Sequence, residues 1–208
     1  MIKSGRARRI MIPKTLRTGR GSTMASPKTD RSERYTYADY LTWDGDERWE
    51  LIDGVPYLMA SPIPEHQQAA LQLGAEFAMY LRGKECRAFI SPMDLTVETN
   101  MRTQQVVQPD LFVMCGEYGQ DKRIVGVPVL VIEILSPSTA GHDFVRKMRL
   151  YQRIGVQEYW IVDPVTRFVY VYKREGDLLQ WHSEHKPGDT LSPSMFPDLS
   201  INVSVLFE

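Results

Sequence analysis

Two carboxylates stand where charge is costly. Asp110 lies in Val106-Val107-Gln108-Pro109-Asp110-Leu111-Phe112-Val113-Met114, and Glu133 lies in Val129-Leu130-Val131-Ile132-Glu133-Ile134-Leu135. Each run is apolar and strand-like, and an ionised carboxylate buried there requires a cation or hydrogen bonds to compensate it. Two such groups on neighbouring strands can share one hard divalent metal, which prefers oxygen ligands. A metal-dependent active site is therefore the first expectation.

Each candidate also has a plainer reading. Pro109 lacks a backbone donor and suits a strand edge or irregularity, so Asp110 reads equally as a strand-end residue or as a ligand. Glu133, with apolar neighbours on both sides, is harder to explain without metal or catalytic service. Lys147, on the following helix, could orient a water or offset charge on a phosphate. Taken alone, it reads as an ordinary surface pair with Asp143, four residues earlier. Glu50 could add an oxygen ligand or face solvent on an alternating strand. His66, opening a helix, reads as a polar N-terminal residue. No nucleophile elbow, Walker loop, dinucleotide fingerprint or zinc-ligand pair is present. Tyr159, Trp160 and Tyr170 could stack on bases, but their apolar strands favour core packing.

The elements that must position these groups follow from pattern. Thr36 predicts a cap for a short helix over Tyr37–Leu41, ended by the Asp44-Gly45-Asp46 turn. Trp49–Met59 predicts a hairpin turning at Asp53-Gly54. A helix to about Leu81 presents Ala70, Leu73, Phe77 and Tyr80, with Gly83 as its stop. Strands follow near Arg87–Ser91 and Asp94–Glu98, then come the two carboxylate strands, separated by a polar, glycine-containing loop from Cys115 to Val127. A helix over Asp143–Ile154 presents Phe144, Met148 and Tyr151. Glu158–Asp163 and Arg167–Lys173 are strands, and the tail from Leu178 predicts edge strands. The expected fold is α/β, a mixed β-sheet flanked by helices.

The 208 residues suffice for one domain plus an arm. Residues 1–34 hold ten basic and two acidic residues, a surplus of eight, so the rest carries −9 of the net −1. This division predicts a basic, disordered leader over 1–34 and a folded domain over 35–208. The arm could attract nucleic acid or be functionless, and Met24 is an alternative start. It lacks the apolar core of a secretory signal; its Arg-rich composition resembles a transit peptide only loosely. No apolar stretch could span a bilayer. Cys86 and Cys115 show no metal or redox spacing and read as reduced thiols, in keeping with a cytoplasmic location.

Several segments together resemble the Uma2 family (DUF820) of restriction endonucleases. They are Tyr35-Thr36-Tyr37-Ala38-Asp39-Tyr40-Leu41, Trp49-Glu50-Leu51-Ile52-Asp53-Gly54 and Gln108-Pro109-Asp110. Glu133-Ile134-Leu135-Ser136-Pro137-Ser138-Thr139 and Gly155-Val156-Gln157-Glu158-Tyr159-Trp160-Ile161-Val162-Asp163-Pro164 complete the set. The resemblance covers about residues 35–175. It implies the restriction-endonuclease-like fold of the PD-(D/E)xK superfamily and Mg²⁺-dependent hydrolysis of DNA phosphodiesters, with Mn²⁺ as a substitute. Carried over by position, Asp110 and Glu133 are the two acids and Glu50 the upstream acid. The Ile134 carbonyl would join these three as a metal ligand. The lysine usual two residues after the second acid is replaced by Leu135, and Lys147 matches the position of its substitute. Arg146, Arg149 and Arg153 on the same helix could offset the domain's repulsion of DNA. Two half-sites in a homodimer would suit double-strand cleavage. The rivals are a nuclease-like domain without turnover, serving nucleic-acid binding or protein assembly, and a hydrolase of some other phosphoester.

Overall fold

The computed structural model describes residues 33–120, 122–136 and 140–208. The predicted leader up to residue 32 and the Pro137–Thr139 portion of the motif after Glu133 lie outside the described residues. Helix α1 (Tyr37–Tyr40) starts as Thr36 predicts, through a capping box. The Thr36 hydroxyl accepts from the Asp39 amide, and the Asp39 carboxylate accepts from the Thr36 amide. Strands β1 (Trp49–Ile52) and β2 (Val55–Leu58) form the expected hairpin. Its turn needs positive φ at both central residues, and Asp53 (52°) with Gly54 (73°) supplies it.

Helix α2 (Pro64–Tyr80) begins on a proline, whose missing amide hydrogen would be unpaired there anyway. It leads to β3 (Arg87–Ile90), β4 (Leu95–Thr96) and β5 (Leu111–Met114). Then come β6 (Gly119–Gln120), β7 (Ile124–Val125), β8 (Leu130–Ile134) and α3 (Ala140–Ile154). The chain continues through β9 (Glu158–Asp163), β10 (Phe168–Glu175), β11 (Leu178–His185), β12 (Thr190–Leu191) and β13 (Ile201–Asn202). A short 3-10 helix over Val203–Phe207 closes it.

The central sheet runs β11-β10-β9-β8-β5-β3. Only β8 and β9 are parallel within it, and a parallel pair needs a crossover, which α3 provides. The pleat divides side chains between two layers. Leu111, Val113, Leu130 and Ile132 meet Ala69, Leu73 and Phe77 of α2. Phe112, Met114, Val131 and Ile161 face the other way, with Leu150 and Tyr151 of α3. The mixed sheet between helices is the α/β fold expected from the pattern.

Three local expectations require correction. Ala69, rather than Ala70 or Tyr80, shares the fully buried stripe of α2, because 69, 73 and 77 keep a four-residue spacing while Ala70 and Tyr80 lie on its flanks. The segment after Cys115 is not all loop: β6 and β7 join β4 in a small sheet, through strands of two residues that leave no periodic signal. Cys86 and Cys115 are not reduced thiols but form a disulfide. The pairing of Arg87 with Met114 across β3 and β5 continues by one step to these two residues, which brings them together. Reduced cysteines therefore no longer support a cytoplasmic location. Among the described residues no helix is long and apolar enough to cross a membrane. In the tail, β11 is the expected edge strand, whereas β12 and β13 pair separately from the main sheet.

Candidate active site

Register alone brings the two acids together. Leu111 pairs with Ile132 across the antiparallel β5–β8 ladder, and one further step sets Asp110 opposite Glu133. Directly opposed residues project to the same face, and here that is the α3 side, shared with Phe112 and Val131. Asp110 stands just before β5, as Pro109 suggests, and its Oδ2 accepts from the Ile134 amide at 2.7 Å. The backbone beside one acid thereby orients the other.

Lys147 enters from α3. Its ammonium lies 3.1 Å from Glu133 and 3.1 Å from Glu50. All three are buried: Lys147 is 5 % exposed, Glu50 3 % and Glu133 7 %. The surface-pair reading of Lys147 and the solvent-facing reading of Glu50 both fail on these values. Asp143, the proposed surface partner, has its side chain outside the described residues. Glu50 Oε1 also accepts from the Gln108 amide at 2.9 Å, tying the hairpin to the strand segment carrying Asp110.

Two participants were absent from the predicted set. Tyr151, expected only to pack, donates its hydroxyl to Glu133 Oε1. It lies four residues after Lys147, so both project from one helix face to the same carboxylate; that spacing was the available signal. His66 Nε2 lies 3.1 Å from Asp110 Oδ2. Nothing in its local sequence distinguishes it from a polar residue in a helix's first turn. Of the candidates for base stacking, Tyr159 and Trp160 are buried in the core and Tyr170 is half-buried against it.

Burial pushes the Glu133 carboxyl up to about 8; Lys147 opposes this, Asp110 and Glu50 add to it, and the Tyr151 hydrogen bond opposes it. Burial, followed by the adjacent Glu133, likewise raises Tyr151. With Glu133 protonated, Glu50 and Asp110 against Lys147 leave one negative charge; loss of the Glu133 proton would make it two. A divalent cation would neutralise it.

Among the described residues no three of His, Cys, Asp and Glu converge to hold a metal ion. Glu50 Oε1 is occupied by Lys147 and by the Gln108 amide. Asp110 and Glu133 remain as an opposed carboxylate pair, which suits Mg²⁺, an ion bound through one or two carboxylates with several waters. Three buried polar atoms lack a hydrogen-bond partner among the described residues: His66 Nδ1, Ser91 Oγ and Gln108 Oε1. Of these three residues, His66 alone bonds the Asp110 carboxylate, whereas the Gln108 side-chain amide donates to Tyr40 and Asp94.

The site is thus a pair of opposed acids near strand ends on one face of a mixed sheet, with a buried lysine from the covering helix against them. The Uma2 family model, described as "Putative restriction endonuclease", matches residues 37–204, and the chain belongs to that family. Two proteins of Synechocystis sp. (strain ATCC 27184 / PCC 6803 / Kazusa) are similar to it. The uncharacterized protein slr1290 is 30 % identical over 143 residues, covering 67 % of this chain and 74 % of its own. The uncharacterized protein sll1609 is 28 % identical over 152 residues, covering 70 % and 84 %. The crystal structure of a "putative nuclease belonging to DUF820" from Anabaena variabilis ATCC 29413 superimposes with a TM-score of 0.66 at 19 % identity. It covers 83 % of this chain and 97 % of that one, so the fold is shared.

Proposed function

We propose that this chain is a Mg²⁺-dependent endonuclease that hydrolyses DNA phosphodiester bonds. The observation that supports this most is the ammonium of Lys147, 3.1 Å from both Glu50 and Glu133, beneath an Asp110 that faces Glu133. In this reading Asp110, Glu133 and the Ile134 carbonyl hold the metal, for which Mn²⁺ can substitute. When bound, Mg²⁺ polarises the phosphate and acidifies the attacking water. Glu50 holds Lys147 rather than the metal, and Tyr151 and His66 fix the carboxylates of Glu133 and Asp110. Lys147 orients the water or offsets the negative charge that grows on the phosphate. The water oxygen bonds to phosphorus, a P–O ester bond breaks, and the departing oxygen takes up a proton. Pairing of two copies would place two such sites for double-strand cleavage.

Plasmid nicking tests the proposal, with wild type compared against Asp110→Ala and Glu133→Ala. Wild type should nick with Mg²⁺ and stop with EDTA. Each variant should lose more than the 10–100-fold that even outer-shell partners of metal sites carry. Equal nicking by all three proteins would refute the assignment. The saturation of Lys147 by two carboxylates favours one rival, a nuclease-like domain without turnover. That rival predicts DNA binding without nicking by the folded wild type.

A further inference from the structure

The outer flank of α3 carries a feature that the buried acid site does not use. Arg146, Arg149 and Arg153 are spaced three and four residues apart, so they form one stripe on the helix surface. Together with Val145, Leu150 and Asp53 they line a groove between α3 and the β1–β2 hairpin. Three cations against one anion make it positive, although residues 35–208 sum to −9.

Two of the three guanidinium groups are pre-positioned. Arg146 stacks 3.7 Å above the Tyr57 ring, and Arg153 bonds Asp53 at 2.8 Å at the hairpin turn. Arg149, between them, is exposed. The groove also adjoins the acid site. Tyr57 pairs with Glu50 in the hairpin register, and Arg146 directly precedes Lys147.

Resting on the nucleic-acid reading above, we propose that this groove binds the phosphodiester backbone of the substrate strand, with the three arginines as its phosphate contacts. From Arg146 to Arg153 the helix rises about 10 Å. A strand advances about 3.4 Å per phosphate along a duplex axis, so the stripe spans about three phosphate-to-phosphate steps. Planar guanidinium groups suit phosphate oxygens through paired hydrogen bonds. An isolated phosphate would engage one end of such a stripe; only a strand uses its length.

The test is the anisotropy of a labelled DNA duplex titrated with the full chain in EDTA over a series of salt concentrations. Wild type, Arg149→Gln and Arg82→Gln are compared. Arg82 is exposed beyond α2, on the opposite side of the sheet, and controls for net charge. The basic arm contributes equally to all three proteins. Losing one phosphate contact should lower the slope of log K against log salt by about 0.9, which is about eightfold in affinity near 0.1 M salt. Arg149→Gln should show that loss and Arg82→Gln should not. Unchanged binding by Arg149→Gln, or equal loss in both variants, overturns the groove. Displacement by inorganic phosphate beyond that by chloride at matched ionic strength would overturn the strand as ligand. If Arg149→Gln weakens binding while wild type never nicks plasmid, the groove stands and the hydrolytic reading falls. If plasmid is nicked while Arg149→Gln binds like wild type, the groove alone falls.

Discussion

Replacing Lys147 with Met removes a charge from a buried triad while keeping most of its volume. The ammonium is 3.1 Å from Glu50 and from Glu133. At an effective dielectric of about 20, each contact carries about 5 kcal/mol of attraction before desolvation is counted. Experience with buried pairs sets the net loss on removing one partner at about 3–5 kcal/mol, because the remaining charge is stranded. Protonation of Glu133 can relieve part of that loss. Its folded-state pKa is raised from 4.5 to about 8. The stability it contributes is therefore fully present below about 4.5 and is lost as pH rises through about 8. Without Lys147, which lowers this pKa, Glu133 should hold its proton to still higher pH. The loss should accordingly be smallest near pH 6 and reach the full 3–5 kcal/mol near pH 9. Urea unfolding of wild type and Lys147→Met in EDTA at both pH values measures it. At about 2–4 °C per kcal/mol, the matching fall in melting temperature at pH 9 is about 6–20 °C. A loss below about 1 kcal/mol at both pH values would refute the claim that Lys147 compensates the buried acids.

Two further outcomes bear on the metal and on the sheet edge. Mg²⁺ at about 100 times its dissociation constant should stabilise the protein by about 2.7 kcal/mol. Because it must displace the Glu133 proton, the shift in melting temperature should grow as pH rises through about 8 and vanish in Asp110→Ala; a pH-independent shift, or one surviving in that variant, would exclude the proposed ligands. The Cys86–Cys115 disulfide, spanning 29 residues, should contribute about 3–4 kcal/mol by restricting the unfolded chain. Urea unfolding with and without reductant reads this directly, and coincident curves would show that the bond does not close that loop in solution.

Features whose signal is local could be read from the chain. The Thr36 cap, the Asp53-Gly54 turn and the bounds of β9 each depend on a few adjacent residues, and each matches the structure. Glu133 was legible because an acid inside Val-Leu-Val-Ile is anomalous wherever the strand lies. The Cys86–Cys115 bond was not, because it depends on the register of β3 against β5, a relation between segments 29 residues apart. The same holds for His66, whose partner Asp110 is 44 residues away. Tyr151 is intermediate. Its spacing from Lys147 is local, but its bond to Glu133 follows only once α3 is laid across β8. Glu50 was legible as a candidate acid, but its contact with Lys147 was not, because it depends on how α3 lies against the hairpin.

The position of that lysine has a physical consequence. A lysine two residues after Glu133 would leave the strand where Leu135 stands, about 7 Å further along the chain. It would share the face of Glu133 but lie displaced towards the strand end. Coming from α3 instead, Lys147 descends onto the sheet between β8 and the hairpin, so one ammonium meets both Glu133 and Glu50. The relocation couples the hairpin to the acid pair, since Glu50 also accepts from the Gln108 amide two residues before Asp110. It also places Lys147 next in sequence to Arg146, at the edge of the basic groove. One helix therefore carries the buried cation that balances the acids and the exposed cations that suit a phosphate backbone. Both sets depend on how α3 packs, so a substitution that shifts α3 should disturb both together.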